Sequence, residues 1–284
     1  MIKVNSLSGG KTSSYIAANY PADHNIFSLV RTDDKNCMFP DAKIRQIVSD
    51  RINQEFIGTL EEDEIIYTML DLEQFIGKKI HWVSGQTFDQ IIKRGKKTYL
   101  PNVTKRFCTQ YMKIEPIFKW WQNNFHEPIA MRIGYRANEQ RRAKNMLKRT
   151  NKFGMLEQKT IIGKTKNGKK NKWADIPWQK PEFPLIQNKI FKDKINVFWQ
   201  NKPVRFAYMN NCVGCFHRNE VLLKHMSKRH PNKYQWFINA EKNTGYGSIT
   251  FKNNTTYEKI KNSFEQIELF DNDFNECDSG YCGI

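Results

Sequence analysis

The segment Ser8-Gly9-Gly10-Lys11-Thr12-Ser13-Ser14 carries the densest chemistry in the chain. Paired glycines let a backbone come close to an anion, hydroxyls donate to phosphate or sulfate oxygens, and Lys11 adds a positive charge. The spacing is not the G-x4-G-K-S/T of a Walker loop, which argues against an ordinary P-loop NTPase. A glycine pair before serines also serves as a plain turn that caps a helix, so the segment takes its meaning from what accompanies it.

Several other residues have matching chemistry. Arg106, Lys113, Arg136 and Arg142 offer cations for a polyphosphate, guanidinium forks being suited to phosphate oxygens, although Arg142 also fits a merely basic face. Asp33 and Asp34 follow an apolar strand, where a carboxylate can meet an adenosine or a metal, or simply make a turn. Cysteines stand at Cys37, Cys108, Cys212, Cys215, Cys277 and Cys282, with one pair spaced C-x2-C and another C-x4-C. Thiolates in close pairs are natural ligands for zinc or for an iron-sulfur cluster, here Cys212, Cys215, Cys277 and Cys282, with Cys108 as a substitute and His217 able to complete a Cys3His set. The alternative is that Cys277 or Cys282 is a tail nucleophile that takes sulfur from an activated sulfate and is resolved by a second thiol. His225 and His230 read as surface or capping residues.

These side chains need a scaffold. Apolar strands over 2–7, 26–30, 81–84 and 128–134 alternate with helical patterns over 40–52, 63–75, 87–94 and 108–123, and 55–58 reads as a further strand. Strands alternating with helices predict a Rossmann-like α/β fold with a mostly parallel sheet flanked by helices. Residues 152–178 include Gly163-Lys164-Thr165-Lys166-Asn167-Gly168-Lys169-Lys170, whose Asn-Gly step predicts an exposed basic hairpin inserted outside the core. Helical patterns return over 193–200, 220–229, 231–241 and 257–265. The expected organisation is a nucleotide-binding α/β domain over 1–210, with its basic insertion at about 150–178, and a cysteine-bearing helical subdomain over 211–284.

The chain has 284 residues, 39% of them hydrophobic, enough for a substantial core, and a net charge of +17 that favours a polyanionic partner. From Gln140 to Lys172 there are twelve basic residues and one acid, Glu157, so this stretch alone carries +11 (12 − 1). It is the expected contact for nucleic acid, tRNA or DNA. No apolar run is long enough for a membrane span and the N-terminus has no signal-like apolar segment, so the expectation is a cytoplasmic protein.

Four blocks in order resemble one family. Ser8 to Ser14 resembles the PP-loop, S-G-G-x-D-S, of the adenine nucleotide α-hydrolase-like superfamily, in particular its phosphoadenosine phosphosulfate (PAPS) reductase branch. Arg106-Phe107-Cys108-Thr109 with Lys113-Ile114-Glu115-Pro116-Ile117 is similar to that branch's R-x-C-C/T-x3-K-x-x-P-I/L segment. Gly134-Tyr135-Arg136 with Glu139, Arg142 and Ala143 resembles its G-I/L-R-x-x-E-x-x-R-A block, and Asn211-Cys212-Val213-Gly214-Cys215-Phe216, with Trp236 and Glu241, resembles PAPS-reductase-like proteins of phages and mobile elements. Thr12 stands where the PP-loop has Asp, Thr109 follows Cys108 where cluster-bearing reductases have a second Cys, and the tail Glu276-Cys277-Asp278 only partly matches E-C-G-L-H.

The resemblance implies that Ser8, Gly9, Gly10, Lys11, Thr12, Ser13, Asp33, Arg106 and Lys113 bind ATP or a PAPS-type nucleotide with Mg2+, and that Lys11, Arg136, Arg142 and Cys277 act in catalysis. It implies three functions: ATP cleaved to AMP and pyrophosphate to activate an acceptor for sulfur or group transfer; a sulfonucleotide reduced through a cysteine thiol; or a non-catalytic nucleotide- or nucleic-acid-binding module with structural zinc. A sulfur donor or thiol reductant would be the partner of the first two.

Overall fold

The structure is a computed structural model that describes residues 1–263 except 96, 166–167, 169 and 245–248. In chain order its strands are β1 (Lys3–Leu7), β2 (His24–Leu29), β3 (Ile80–Ser84), β4 (Lys93–Arg94), β5 (Lys97–Thr98), β6 (Ile129–Arg132), β7 (Leu156–Lys164) and β8 (Asn171–Glu182). The longer helices are α1 (Lys11–Asn19), α2 (Ala42–Ile52), α3 (Glu64–Ile76), α4 (Phe88–Ile92), α5 (Phe107–Thr109), α6 (Glu115–Asn124), α7 (Gln140–Leu147), α8 (Pro184–Gln187), α9 (Lys192–Trp199), α10 (Glu220–Arg229), α11 (Pro231–Lys242) and α12 (Tyr257–Asn262). Six strands form one sheet in the order β3-β2-β1-β6-β8-β7, parallel except for the final β8-β7 pair, and β4 and β5 make a small hairpin apart. This is the Rossmann-like α/β arrangement.

Side-chain alternation along the strands divides the core between the two faces. Leu7, Phe27 and Leu29 pack with α1 and α3 through Ile16, Ile66, Met69 and Leu72. Val4, Ile26 and Met131 pack on the other face with Phe118 and Trp121 of α6 and with Trp178. A third cluster lies apart from these: Phe237, Tyr234 and Tyr257 from α11 and α12 close over Val30, Phe88, Ile91 and Met112, so the C-terminal helices share a core with elements from the first half of the chain.

Local chemistry explains the helix boundaries. Asp41 caps α2 by accepting from the amides of Lys43 and Ile44, and Asn53 ends it in the left-handed region at φ 51. Thr87 and Gln90 form a reciprocal capping box that starts α4, and Pro231 opens α11 where no amide donor is missed.

Three sequence expectations need correction. Residues 55–58 form no strand, since Gly58 makes only isolated bridges to Thr32 and Met38 and its Cα lies so close to Cys37 that a Cβ would stand 1.9 Å from the Cys37 carbonyl oxygen. The helix expected over 87–94 ends at Ile92, because the chain then extends into β4 to pair with β5. The insertion expected over 152–178 is not wholly outside the core: Leu156 and Trp178 are buried at its two ends, Trp178 against Phe118 and Trp121, and Gln179 to Glu182 beyond it pair with β6 in the main sheet. Residues 171–177 pair with β7 alone, so the ribbon leaves the sheet there. Among the described residues, no helix is long and apolar enough to cross a membrane.

Candidate functional site

The Ser8–Ser14 segment joins β1 to α1 at the carboxyl end of the sheet. Gly9 has φ +79, a conformation that only glycine adopts without strain, and a Cβ there would lie 2.5 Å from Cγ2 of Ile65. Ser13 organises the turn: its hydroxyl donates to the Gly10 carbonyl (3.1 Å), accepts from the Ser8 amide (3.1 Å) and meets the Ser8 hydroxyl (3.2 Å). No side chain caps the start of α1 at Gly10, so its first-turn amides face outward at the positive end of a nine-residue helix. Lys11 lies at that end, its ammonium 3.5 Å from Oδ1 of Asn196, and its carbonyl accepts from the Trp199 indole (3.0 Å). Backbone amides, hydroxyls and one ammonium thus gather at this turn, a donor set whose chemistry suits an anion.

The strand order reverses at β1, whose neighbours β2 and β6 lie on opposite sides, and ligands of open α/β sheets bind at such a switch point beyond the carboxyl ends. The segment after β6 comes close to the loop, Gly134 approaching Ser13 and Thr12 so that a Cβ would sit 3.5 Å from each. Arg136 is buried and pairs with Glu139 (3.2 Å), which also accepts from the Arg136 amide (2.8 Å) and pairs with Arg142. Arg142 lies over the Tyr135 ring at 4.1 Å, and Tyr135 stacks on Phe183. The Gly134–Ala143 block is thus a cationic arm held by one carboxylate.

Arg106, Cys108 and Lys113 belong to a continuous helical segment, α5 to α6, broken by a π-helical turn at Gln110–Ile114. That turn leaves the Met112 carbonyl to accept from Ser28 of β2 (2.7 Å) and brings the Tyr111 carbonyl so close to Gly85 that a Cβ would lie 2.3 Å away. Wide turns of this kind gather at functional sites. Sequence periodicity gave no sign of it.

The same helical segment meets the Cys212–Cys215 turn. Cys108, Cys212, Cys215, His217, Arg106 and Lys113 all line one small cavity of about 40 Å³. The Cys215 amide donates to the Cys212 carbonyl (3.0 Å), and the buried Arg218 guanidinium donates to the carbonyls of Asn210 (2.7 Å), Asn211 (3.2 Å) and Cys212 (3.2 Å). Asn211 has φ +79, and a Cβ at Gly214 would stand 2.5 Å from the Phe237 ring. Burial, with Arg106 and Lys252 nearby, pulls the His217 imidazole down to about 4. The donor set has the chemistry of a thiophilic metal site, but among the described residues no three His, Cys, Asp or Glu side chains are gathered as ligands. Cys277 and Cys282, expected to complete the set or act as nucleophile, lie outside the described residues. Cys37 is elsewhere and inert, its thiol pushed up to about 12 by burial and by Asp34.

The Ser8–Ser14 loop and the cysteine turn are adjacent: a Cβ at Gly10 would lie 2.5 Å from the side-chain amide nitrogen of Asn210, two residues before Cys212. Between them runs an acidic strip, Glu61-Glu62-Asp63, that sequence reasoning missed. Glu61 pairs with Lys113 (3.1 Å) and bridges to Cys212. Glu62 is fully buried; burial works to raise its carboxyl, but hydrogen bonds from His230 and the Met209 amide outweigh it and hold it below the ordinary value. His230 holds a cap position, ending α10 and starting α11, with its ring turned inward to Glu62. Lys233 binds the Glu61 carbonyl (2.6 Å) and Asp63 (2.7 Å). Consecutive acids in a polar stretch look like a solvated turn, and only the third dimension supplies their cations.

Asp33 and Asp34 take separate roles. Asp34 accepts from the Asn36 amide (2.8 Å) and starts a short turn, the ordinary use of an Asp. Asp33 accepts from the Thr87 hydroxyl (2.6 Å) and lines a polar cleft of about 610 Å³ with Arg31, Gln86, Glu115 and Lys119. No residue of the Ser8–Ser14 loop lines that cleft. Trp236 and Glu241 serve the core, the indole donating to Asp89 (2.8 Å) and the carboxylate accepting from the amides of Phe251 (3.1 Å) and Tyr257 (2.8 Å).

The basic segment is exposed. Arg141 and Lys144 on α7, Lys148, Arg149 and Lys152 after it, and Lys159, Lys164, Lys170 and Lys172 on and around the ribbon all face solvent. Gln110 donates to Gln158 of β7 (3.1 Å), tying the ribbon to the helical segment that carries Arg106 and Cys108. Compared with protein-family models, with curated proteins and with solved structures, the chain shows no match.

Proposed function

We propose that this chain is an adenine-nucleotide-dependent enzyme of the PP-loop, PAPS-reductase-like type that activates an acceptor with ATP and passes sulfur or another nucleophile to it. One observation carries the reading: an anion cradle at the switch point of a parallel sheet lies against a turn bearing two cysteines, the two joined by the Gly10 and Asn210 contact. The triphosphate, with Mg2+, would rest on the Ser8–Ser13 backbone and hydroxyls with Lys11 beside it, and the arm of Arg136 and Arg142 would supply charge. In the reaction, an acceptor oxygen attacks the α-phosphorus, the bond to the β-phosphate breaks and pyrophosphate leaves. The terminal sulfur of a cysteine persulfide, loaded by a sulfur donor, then attacks the activated carbon; the C–O bond breaks and AMP leaves with that oxygen. A second cysteine thiol attacks the remaining S–S bond, freeing the sulfur on the acceptor and closing a disulfide that a thiol reductant reopens. Arg106 and Lys113 line the same cavity as the thiols. The basic ribbon supports a tRNA or DNA acceptor.

That same cavity favours a second reading, reduction of a sulfonucleotide by a cysteine thiol. Products separate the two: AMP with pyrophosphate for the first, sulfite with an adenosine phosphate for the second. Nucleotide binding tests the common premise. Calorimetry should show ATP binding that Lys11→Ala weakens by about tenfold or more, the worth of one charged hydrogen bond. Lys11 is a cleaner position than Gly9, whose substitution would strike Ile65. Equal affinity in Lys11→Ala, or no binding of ATP and no binding of a PAPS-type nucleotide, would overturn the assignment, and nucleotide binding without either product would leave a binding module.

A further inference from the structure

We infer that the β7–β8 ribbon takes single-stranded nucleic acid, holding an unpaired base against the Trp173 indole. The inference rests on the nucleic-acid reading of the basic segment and narrows it. Trp173 is 54% exposed and stands directly opposite Ile161, itself 46% exposed, with Ile162 at the adjoining irregularity, 49% exposed. Lys159 and Asp175 form the pair two positions along, hence on the same face as the indole. Lys172 and Lys164 lie at the neighbouring positions. Single exposed apolar residues are ordinary, but an indole beside two isoleucines, set among lysines on a ribbon that has left the sheet, is not.

A partner for this surface must carry dense negative charge and flat apolar faces at once. In a duplex the base faces are occupied by one another, whereas an unpaired strand offers them to an aromatic ring while its phosphates meet the lysines. An anionic bilayer shares the charge but offers no flat aromatic face for the indole to stack on. The Gln110–Gln158 hydrogen bond anchors the ribbon to the helical segment that carries Arg106 and Cys108 from the face opposite the indole, leaving the indole face open to a strand.

Fluorescence anisotropy tests this with a labelled oligonucleotide of about 20 nucleotides, single-stranded and as its duplex, in DNA and RNA forms. The wild type should prefer the single strand; Trp173→Ala should weaken it about tenfold with the salt slope unchanged, because no phosphate contact is lost, and Trp173→Phe should retain most of the affinity. The exposed position predicts an unchanged melting temperature for both variants. A preference for duplex, unchanged affinity in Trp173→Ala, or binding of phosphatidylserine vesicles with no binding of the oligonucleotides would overturn the inference. Failure of every polynucleotide to bind would overturn the nucleic-acid reading with it, while ATP calorimetry on the same samples reports the nucleotide site separately.

Discussion

Gly214→Ala is the sharpest structural test, because the cysteine turn depends on a missing side chain. A Cβ there would lie 2.5, 2.6 and 2.8 Å from three atoms of the Phe237 ring, where relaxed carbon contacts are about 3.5–4.0 Å. The ring would have to withdraw by about 1 Å. It cannot do so freely, being 1% exposed and bounded by Phe88, Trp236, Phe251 and Tyr257 at centroid distances of 5.8, 5.0, 5.3 and 5.9 Å. Overpacking of this kind costs roughly 1–3 kcal/mol, and three simultaneous clashes in a rigid aromatic cluster place this one near 3 kcal/mol. At about 2–4 °C per kcal/mol, melting should fall by roughly 6–12 °C. Urea denaturation measures the free energy, and Gly214→Ala combined with Phe237→Leu should lose less than the sum of the single changes, by about 0.5–3 kcal/mol, since the smaller side chain makes room. If Gly214→Ala melts within about 2 °C of wild type, or the double variant is strictly additive, the packing argument is wrong.

Two further outcomes follow from the same geometry. Arg218→Met would leave the carbonyls of Asn210, Asn211 and Cys212 without their buried donor and should cost roughly 3 kcal/mol or more, with Arg218→Lys recovering part; urea curves for both variants decide it, and equal stability of Lys and wild type would refute the three-carbonyl role. His81 touches His24 at 3.1 Å between ring nitrogens, and burial, with His24 and Lys79, lowers its affinity for a proton below the ordinary imidazole value of 6.5. The unfolded chain then binds the extra proton first, so stability contributed by neutral His81 is present above that value and falls as pH drops below it. Thermal melts from about pH 7.5 to 5 should show this slope, and His81→Gln should reduce it; an unaltered slope in the variant would refute the assignment.

Much of the sheet was legible because its signals are local. An apolar run ending in Gly9-Gly10 must turn before α1 begins, and Pro231 can only open a helix, so both boundaries follow from neighbours in sequence. Cys108 shows where local reading stops. It stood as a substitute ligand, yet the fold brings it to Cys212 and Cys215 through a helical segment that crosses the sheet's carboxyl end. Glu61, Glu62 and Arg218 were illegible for the same reason, since a buried charge looks like a surface charge until its partner arrives from another element. Residues 55–58 failed differently: β-branched and aromatic content suggested a strand, but the close approach of Gly58 to Cys37 decided the backbone.

The packing of Asn210 against Gly10 sets the two proposed sites side by side. Gly10 lies in the loop before α1 and Asn210 leads into the cysteine turn, and the Asn210 side-chain amide fills the space a Gly10 side chain would need. Binding linkage is reciprocal: if an occupied cradle changes the affinity of the turn for whatever its thiols hold, the loaded turn changes nucleotide affinity by the same factor. The order of loading therefore cannot alter the free energy of the doubly occupied state, only the route by which the molecule reaches it.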